Sequence, residues 1–161
     1  MGILKTISLI SLVFFSQLTI ATEKYNPIKL FDNSGHSRAV SVKDADLTLV
    51  HFWATWCSAC IHELPALLNL SSKFPDDRLQ VVLIAADSKK NVNQFLKSQQ
   101  IESTVLIDQY GKTIRTYNVK QLPVTIIYDS NENQLSRITG DADWLSLEMR
   151  QTLNHYFDNN N

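Results

Sequence analysis

The chain has 161 residues, 44% hydrophobic and 19% charged, with a formal net charge of -1. That length and balance suit one globular domain with a single core and exclude a disordered chain. Lys and Arg form no stripe or cluster, so the footprint of a nucleic-acid binder is missing and no nucleic-acid partner is expected.

Residues 1–21 carry one charge, Lys5, ahead of the apolar run 7–20, and Thr19-Ile20-Ala21 resembles a small-residue cleavage site. This pattern predicts a secretory signal peptide or, if uncleaved, a signal anchor that tethers the protein to a membrane. The run is shorter than the roughly 18 residues of a spanning helix. Residues 22–161 then form one domain. Export would place the two cysteines in an oxidising compartment.

In chain order, residues 26–31 and 39–42 read as two short strands around the turn Asp32-Asn33-Ser34-Gly35, an N-terminal β-hairpin. Residues 47–54 are a nearly continuous apolar run of strand length, as in a strand buried on both faces. From Cys57 to about Ser72, Ile61, Leu64, Leu67 and Leu68 recur at helical spacing, with Pro65 inside the pattern. Residues 79–86 make a second buried strand, and Ser88 is placed to cap a helix carrying Val92, Phe95 and Leu96 on one face. Residues 104–107 give a third short strand, 108–111 a turn, 122–128 a strand with proline second, 129–133 a turn and 134–139 a returning strand. Trp144, Leu145, Met149, Leu153 and Tyr156 predict the apolar face of a closing helix capped near Asp141 or Asp143. Strands alternating with helices and ending in a hairpin and a helix indicate a mixed three-layer α/β sheet.

Cys57 and Cys60, the only cysteines, stand between the first buried strand and the first helix. A bridge between residues three apart closes a very small loop, and cross-link stabilisation grows with loop length, so chemistry explains this pair better than structure does. Unpaired N–H groups and the helix dipole at a helix N-terminus favour a thiolate at Cys57 by at most about 2 kcal/mol, lowering an ordinary thiol from about 8.5 to roughly 7. Such a thiol suits attack on a disulfide, with Cys60 resolving the mixed disulfide. Two alternatives remain from residues alone. One is a metal-binding module using the same thiols, although His36, His51, His62 and His155 lack ligand spacing and no metal is expected. The other is a redox-silent protein that holds an extended peptide.

Phe-Trp-Ala-Thr-Trp-Cys-x-x-Cys, with Glu63 three residues and Pro65 five residues after Cys60, resembles the TlpA/ResA-like branch of the thioredoxin-like superfamily over essentially the whole exported chain. The resemblance implies a thioredoxin fold and a bacterial, periplasmic thiol-disulfide oxidoreductase without cofactor. It implies protein thiol or disulfide substrates, a membrane redox donor such as a DsbD-like or CcdA-like protein, and a monomer. Many such proteins are reductants, for instance of apocytochrome thiols before haem attachment. By matching positions, Cys57 is the nucleophile, Cys60 the resolving thiol and Glu63 the buried acid that handles its proton. Leu122-Pro123 matches the family's cis-proline, which offers backbone groups to an extended substrate. Trp56 is either packing or part of the docking surface.

Two positions depart from the family pattern. Ser58-Ala59 replaces a pair that commonly contains proline. His51 stands where thioredoxins have a buried aspartate and many relatives an asparagine. His51 is either a hydrogen-bonded core residue or one half of a coupled proton-handling pair with Glu63.

Overall fold

Seven consecutive buried residues, Leu47-Thr48-Leu49-Val50-His51-Phe52-Trp53, form β3 (Leu47–Trp53), an interior strand of the sheet. A strand with no solvent-facing side must be covered above and below, and this requirement sets the architecture. The computed structural model describes residues 23–74 and 78–159; the signal-peptide reading of residues 1–21 lies outside them.

Around β3 the sheet is mixed. β4 (Leu79–Ala85) pairs with it in parallel, with His51 opposite Leu83, and β6 (Val124–Asp129) pairs antiparallel, with His51 opposite Thr125. With β1 (Lys29–Asp32), β2 (Ser37–Ala39), β5 (Val105–Ile107) and β7 (Gln134–Thr139), the order is β2-β1-β5-β4-β3-β6-β7. Helices α1 (Ser58–Leu70), α2 (Lys89–Ser98) and α4 (Leu147–Asn159) pack over Leu47, Leu49 and Trp53 on one face. Val50 and Phe52 face the other way, toward Tyr25, Ile28, Tyr117 and Val119 beside α3 (Lys112–Thr116). This is the mixed α/β sheet with an N-terminal hairpin that the sequence pattern predicts, and the thioredoxin fold that the resemblance implies.

Strand alternation decides what lies beneath α1. His51 has the parity of Leu49 and Trp53, so its ring projects to the α1 face, as does Thr125 across the ladder.

Three local expectations change. The second hairpin strand is Ser37–Ala39 rather than 39–42, because Asp32 Oδ1 gathers the N–H groups of Ser34, Gly35 and His36 and completes the turn early. The turn at 108–111 continues into α3, too short to show periodicity; Asp108 Oδ2 accepts the Ile114 N–H at 2.8 Å, and Gly111, at φ 64°, turns the chain into the helix. The closing helix begins at Leu147, with Ser146 Oγ accepting the Met149 N–H at 3.1 Å. Trp144 and Leu145 therefore precede it; Trp144 is buried for a reason given below, and Leu145 is 48% exposed.

The β6–β7 turn depends on one buried carboxylate. Asp129 Oδ1 accepts N–H groups from Asn131 at 2.9 Å and Asn133 at 2.7 Å, and Oδ2 accepts the Asn133 amide at 2.8 Å. Asp129→Ala leaves these donors without an acceptor and is expected to lower stability by about 2 kcal/mol in urea unfolding. An unchanged midpoint and slope would show that the turn holds without it.

Candidate active site

The strand-to-helix turn after β3 is fixed from three sides. Ala86 N–H bonds Trp53 O at 2.8 Å, joining the end of β3 to the end of β4. Asp87, buried at the next position, accepts the Thr55 N–H at 3.3 Å and the Thr55 hydroxyl, while also accepting from Ser88 N at 2.7 Å and Asn91 Nδ2 at 2.8 Å. Burial pushes the Asp87 carboxyl up, but these donors outweigh it and hold the group below the usual carboxylate range. Cys57 N–H closes the turn onto Ala54 O at 3.2 Å.

Cys57 then occupies the N-cap of α1, with extended backbone and Sγ accepting the Cys60 N–H at 3.3 Å. The two cysteines form a disulfide, Cα–Cα 5.3 Å. Cys57 is 9% exposed and Cys60 fully buried, so only the first sulfur is near the surface. Trp56, 69% exposed, stands beside it, and His62 lies exposed on α1.

One helical turn past Cys60, Glu63 is 3% exposed. Its Oε2 accepts the Ala142 N–H at 3.0 Å and the Trp144 indole N–H at 2.6 Å. This explains Trp144: the indole is drawn out of the closing helix to satisfy a buried acid. Burial pushes the Glu63 carboxyl up from its ordinary 4.5, and the two donors pull it partly back.

His51, with no exposed surface, faces the same carboxylate: Nε2 lies 3.9 Å from Glu63 Oε1. Among the described residues neither atom has a hydrogen-bond partner. The other ring nitrogen, Nδ1, is 2.9 Å from Thr125 Oγ1. If the Thr125 hydroxyl donates to Nδ1, the ring proton falls on Nε2, the nitrogen nearer Glu63 Oε1. Burial pushes His51 down to about 3, so the ring is neutral at ordinary pH and the pair is not a salt bridge.

The Leu122–Pro123 peptide is cis. Val124 pairs with Phe52, which brings this step to the end of the sheet from which the Cys57 turn departs. Pro123 O is taken by Gly140 N–H at 2.9 Å, whereas no described residue engages the backbone N–H or C=O of Leu122. Leu122 packs against the core cluster that contains Cys57 and Cys60. Among the described residues no three His, Cys, Asp or Glu side chains converge as metal ligands.

Comparison with known proteins gives a family match: residues 22–133 fit the model of the AhpC/TSA family. The chain belongs to that family. Within it, the chain is similar to the thiol-disulfide oxidoreductase ResA of Bacillus thuringiensis subsp. konkukian, 30% identical over 100 residues, covering 62% of this chain and 58% of the relative. It is also similar to the thioredoxin-like protein YneN of Bacillus subtilis, 34% identical over 100 residues, covering 60% and 58%. The match thus spans less than two thirds of either relative's length. Among solved structures it resembles a putative thiol:disulfide interchange protein DsbE from Chlorobium tepidum, with TM-score 0.75 and 26% identity over 84% of this chain and 96% of that one. This member of the AhpC/TSA family is therefore TlpA/ResA-like with a thioredoxin fold.

The structure thus pairs Cys57 with Cys60, sets Glu63 one helical turn further on with His51 facing its carboxylate, and places Leu122-Pro123 at the same end of the sheet. Sequence reasoning missed Thr55, Asp87, Thr125, Ala142 and Trp144. Only Asp87 left a trace, as an acid immediately before the Ser88 cap.

The buried pair makes stability depend on pH in two opposed ways. Between 6.5 and about 3 the unfolded chain binds a proton at His51 that the native state refuses, so His51 destabilises the fold progressively as pH falls through that window. His51→Asn is expected to remove this loss, up to about 1.4 kcal/mol per pH unit. Glu63 acts oppositely: above 4.5 the unfolded chain releases a proton that the native state keeps, so stability falls as pH rises until native Glu63 ionises. Glu63→Gln is expected to abolish that decline. Urea unfolding between pH 4 and 7 reads both slopes, and wild-type slopes in both variants would contradict the assigned burial costs.

Proposed function

We propose that this protein is an exported thiol-disulfide oxidoreductase that exchanges its Cys57–Cys60 pair with protein substrates as a reductant. The observation that carries the reading is the position of Cys57 Sγ at the α1 N-cap, accepting the Cys60 N–H, with Cys60 fully buried behind it. A thiolate at Cys57 is favoured there by the helix dipole and the unpaired N–H groups.

In the reduced protein the Cys57 thiolate attacks one sulfur of a substrate disulfide, and the second substrate sulfur leaves as a thiolate. Cys60 gives its proton to the Glu63 carboxylate and attacks Cys57 Sγ. The remaining substrate sulfur leaves, so the substrate gains two electrons and the protein retains the Cys57–Cys60 disulfide. In the reverse direction protonated Glu63 returns the proton to Cys60. A carboxyl raised by burial sits closer to a thiol in acidity than an ordinary glutamate does, which eases transfer both ways.

His51 belongs to this proton path as a positioning residue. Its Nε2–H opposes Glu63 Oε1 and favours the carboxylate at the moment Cys60 gives up its proton. Leu122, with its backbone groups unengaged beside Pro123, receives the extended substrate chain, and Trp56 supplies the apolar rim around Cys57. The resemblance supports a membrane redox donor of the DsbD-like or CcdA-like kind, a role in preparing apocytochrome thiols, and a monomer. The N-terminal sequence supports the periplasm, with residues 1–21 as signal peptide or tether and 22–161 as the thioredoxin-like domain.

Two experiments test the reading. Cys60→Ser is expected to accumulate a Cys57-linked mixed disulfide with a disulfide-containing model peptide, and Cys57→Ser to give neither complex nor turnover. A Cys57→Ser variant with wild-type turnover would end the proposal. Glu63→Gln is expected to slow resolution about 10²-fold. His51→Asn is expected to shift the pH profile of exchange and of Cys60 alkylation while leaving mixed-disulfide formation at Cys57 intact; profiles that overlay the wild type would remove His51 from the proton path.

A further inference from the structure

A half-open groove, sharing no residue with the dithiol region, lies between β1, β5 and the turn after β5, with a volume of about 610 Å³. Its apolar lining includes Phe31, directly opposite Ile107 in the β1–β5 ladder, and Tyr110. Phe31 is 63% and Tyr110 82% exposed, two aromatic rings left in water on one patch, which marks a contact site rather than a stray surface residue.

Three ammonium groups border this patch: Lys29, on the same strand face as Phe31, Lys89 at the start of α2, and Lys112 at the start of α3. Lys89 Nζ reaches over the β1–β2 turn, 3.0 Å from where a side-chain carbon on Gly35 would lie. Among the described residues no carboxylate pairs with any of the three. The two acids at the groove are committed elsewhere. Asp32 is held by Arg38 Nε at 2.8 Å and by the N–H groups of its own turn, and Asp108 accepts the Ile114 N–H at 2.8 Å. Arg38 neutralises Asp32, and Asp108 has no cationic partner among the described residues, so three lysines set against one carboxylate leave a net cationic rim around an apolar patch on a chain of net charge -1.

We infer that this groove binds a small amphiphilic anion, with an apolar body on Phe31, Ile107 and Tyr110 and an anionic head between Lys29, Lys89 and Lys112. The groove's volume is that of a small-molecule site, within the usual range of about 300–1,000 Å³. A flat membrane surface does not fill a concavity. A second copy packed on this face about a two-fold axis would set its three ammonium groups against these three.

The experiment is an NMR titration of the oxidised protein with dodecanoate below its micelle concentration, against dodecyltrimethylammonium, which has the same tail and the opposite charge. Dodecanoate is expected to shift saturably the amides of residues 29–35 and 107–112, and the cation to bind at least about tenfold more weakly. Lys29→Gln/Lys89→Gln/Lys112→Gln is expected to weaken dodecanoate about tenfold or more, because hydrogen bonds from charged donors are the strong ones. Tyr110→Ser is expected to weaken it separately through the tail. Equal binding of the two amphiphiles, shifts centred on Trp56, or undiminished affinity in the triple variant would overturn the inference. So would binding to anionic vesicles without binding of monomeric dodecanoate, or a concentration-dependent dimer abolished by Phe31→Ser. Thiol-disulfide exchange is expected to be unchanged in the lysine variant, so this inference and the redox reading fail independently.

Discussion

A carboxylate held out of water one helical turn past a disulfide is the constraint on which the rest of this molecule depends. Ala142 and Trp144 supply donors to Glu63 Oε2, while His51, on the β3 parity that faces α1, stands 3.9 Å from Oε1. Each supplier needs its own support. His51 needs Thr125 on β6, so β6 must run antiparallel to β3 in register. Trp144 needs to leave helical geometry, so the closing helix starts after it, at Leu147. Architecture and site are thus joined through the bonds that hold Glu63 Oε2 and His51 Nδ1.

Two sets of bonds meet at the cysteines. The outer set, from Ala86 and Asp87 to Trp53 and Thr55, fixes the backbone that presents Cys57. The inner set, His51, Glu63, Thr125 and Trp144, lies around the carboxylate one helical turn past Cys60. The two sets share no residue. Replacing the family's usual residue at position 51 by histidine alters the inner set while leaving the outer one untouched.

Much of this was legible in the sequence, for physical reasons. Strands such as 47–53, fully buried, and 79–85, mostly so, advertise themselves by nearly continuous apolar runs, and a Cys-x-x-Cys at a strand-to-helix junction advertises its chemistry. Cys57, Cys60 and Glu63 lie within seven consecutive positions, where helical spacing alone relates them. The partners of Glu63 could not be read this way. Trp144 looked like one more apolar residue of a closing helix, because nothing local reveals that its N–H is wanted elsewhere. α3 was invisible because five residues are too few for a period, and the second hairpin strand was misplaced because the Asp32 side chain, not strand propensity, ends that turn. Thr125 and Asp87 became meaningful only once the sheet order was known.

The long sequence span of the Glu63 bonds has a consequence for folding. Its donors stand 79 and 81 positions downstream, whereas the disulfide joins residues three apart. The sulfur bridge can therefore close in a chain with no tertiary structure, while the acid acquires its partners only after the β6–β7 hairpin and the segment before α4 have docked. An emerging or partly folded chain carries the dithiol as an ordinary exposed thiol pair, and the buried surroundings of Glu63 are completed last, by residues distant in the sequence.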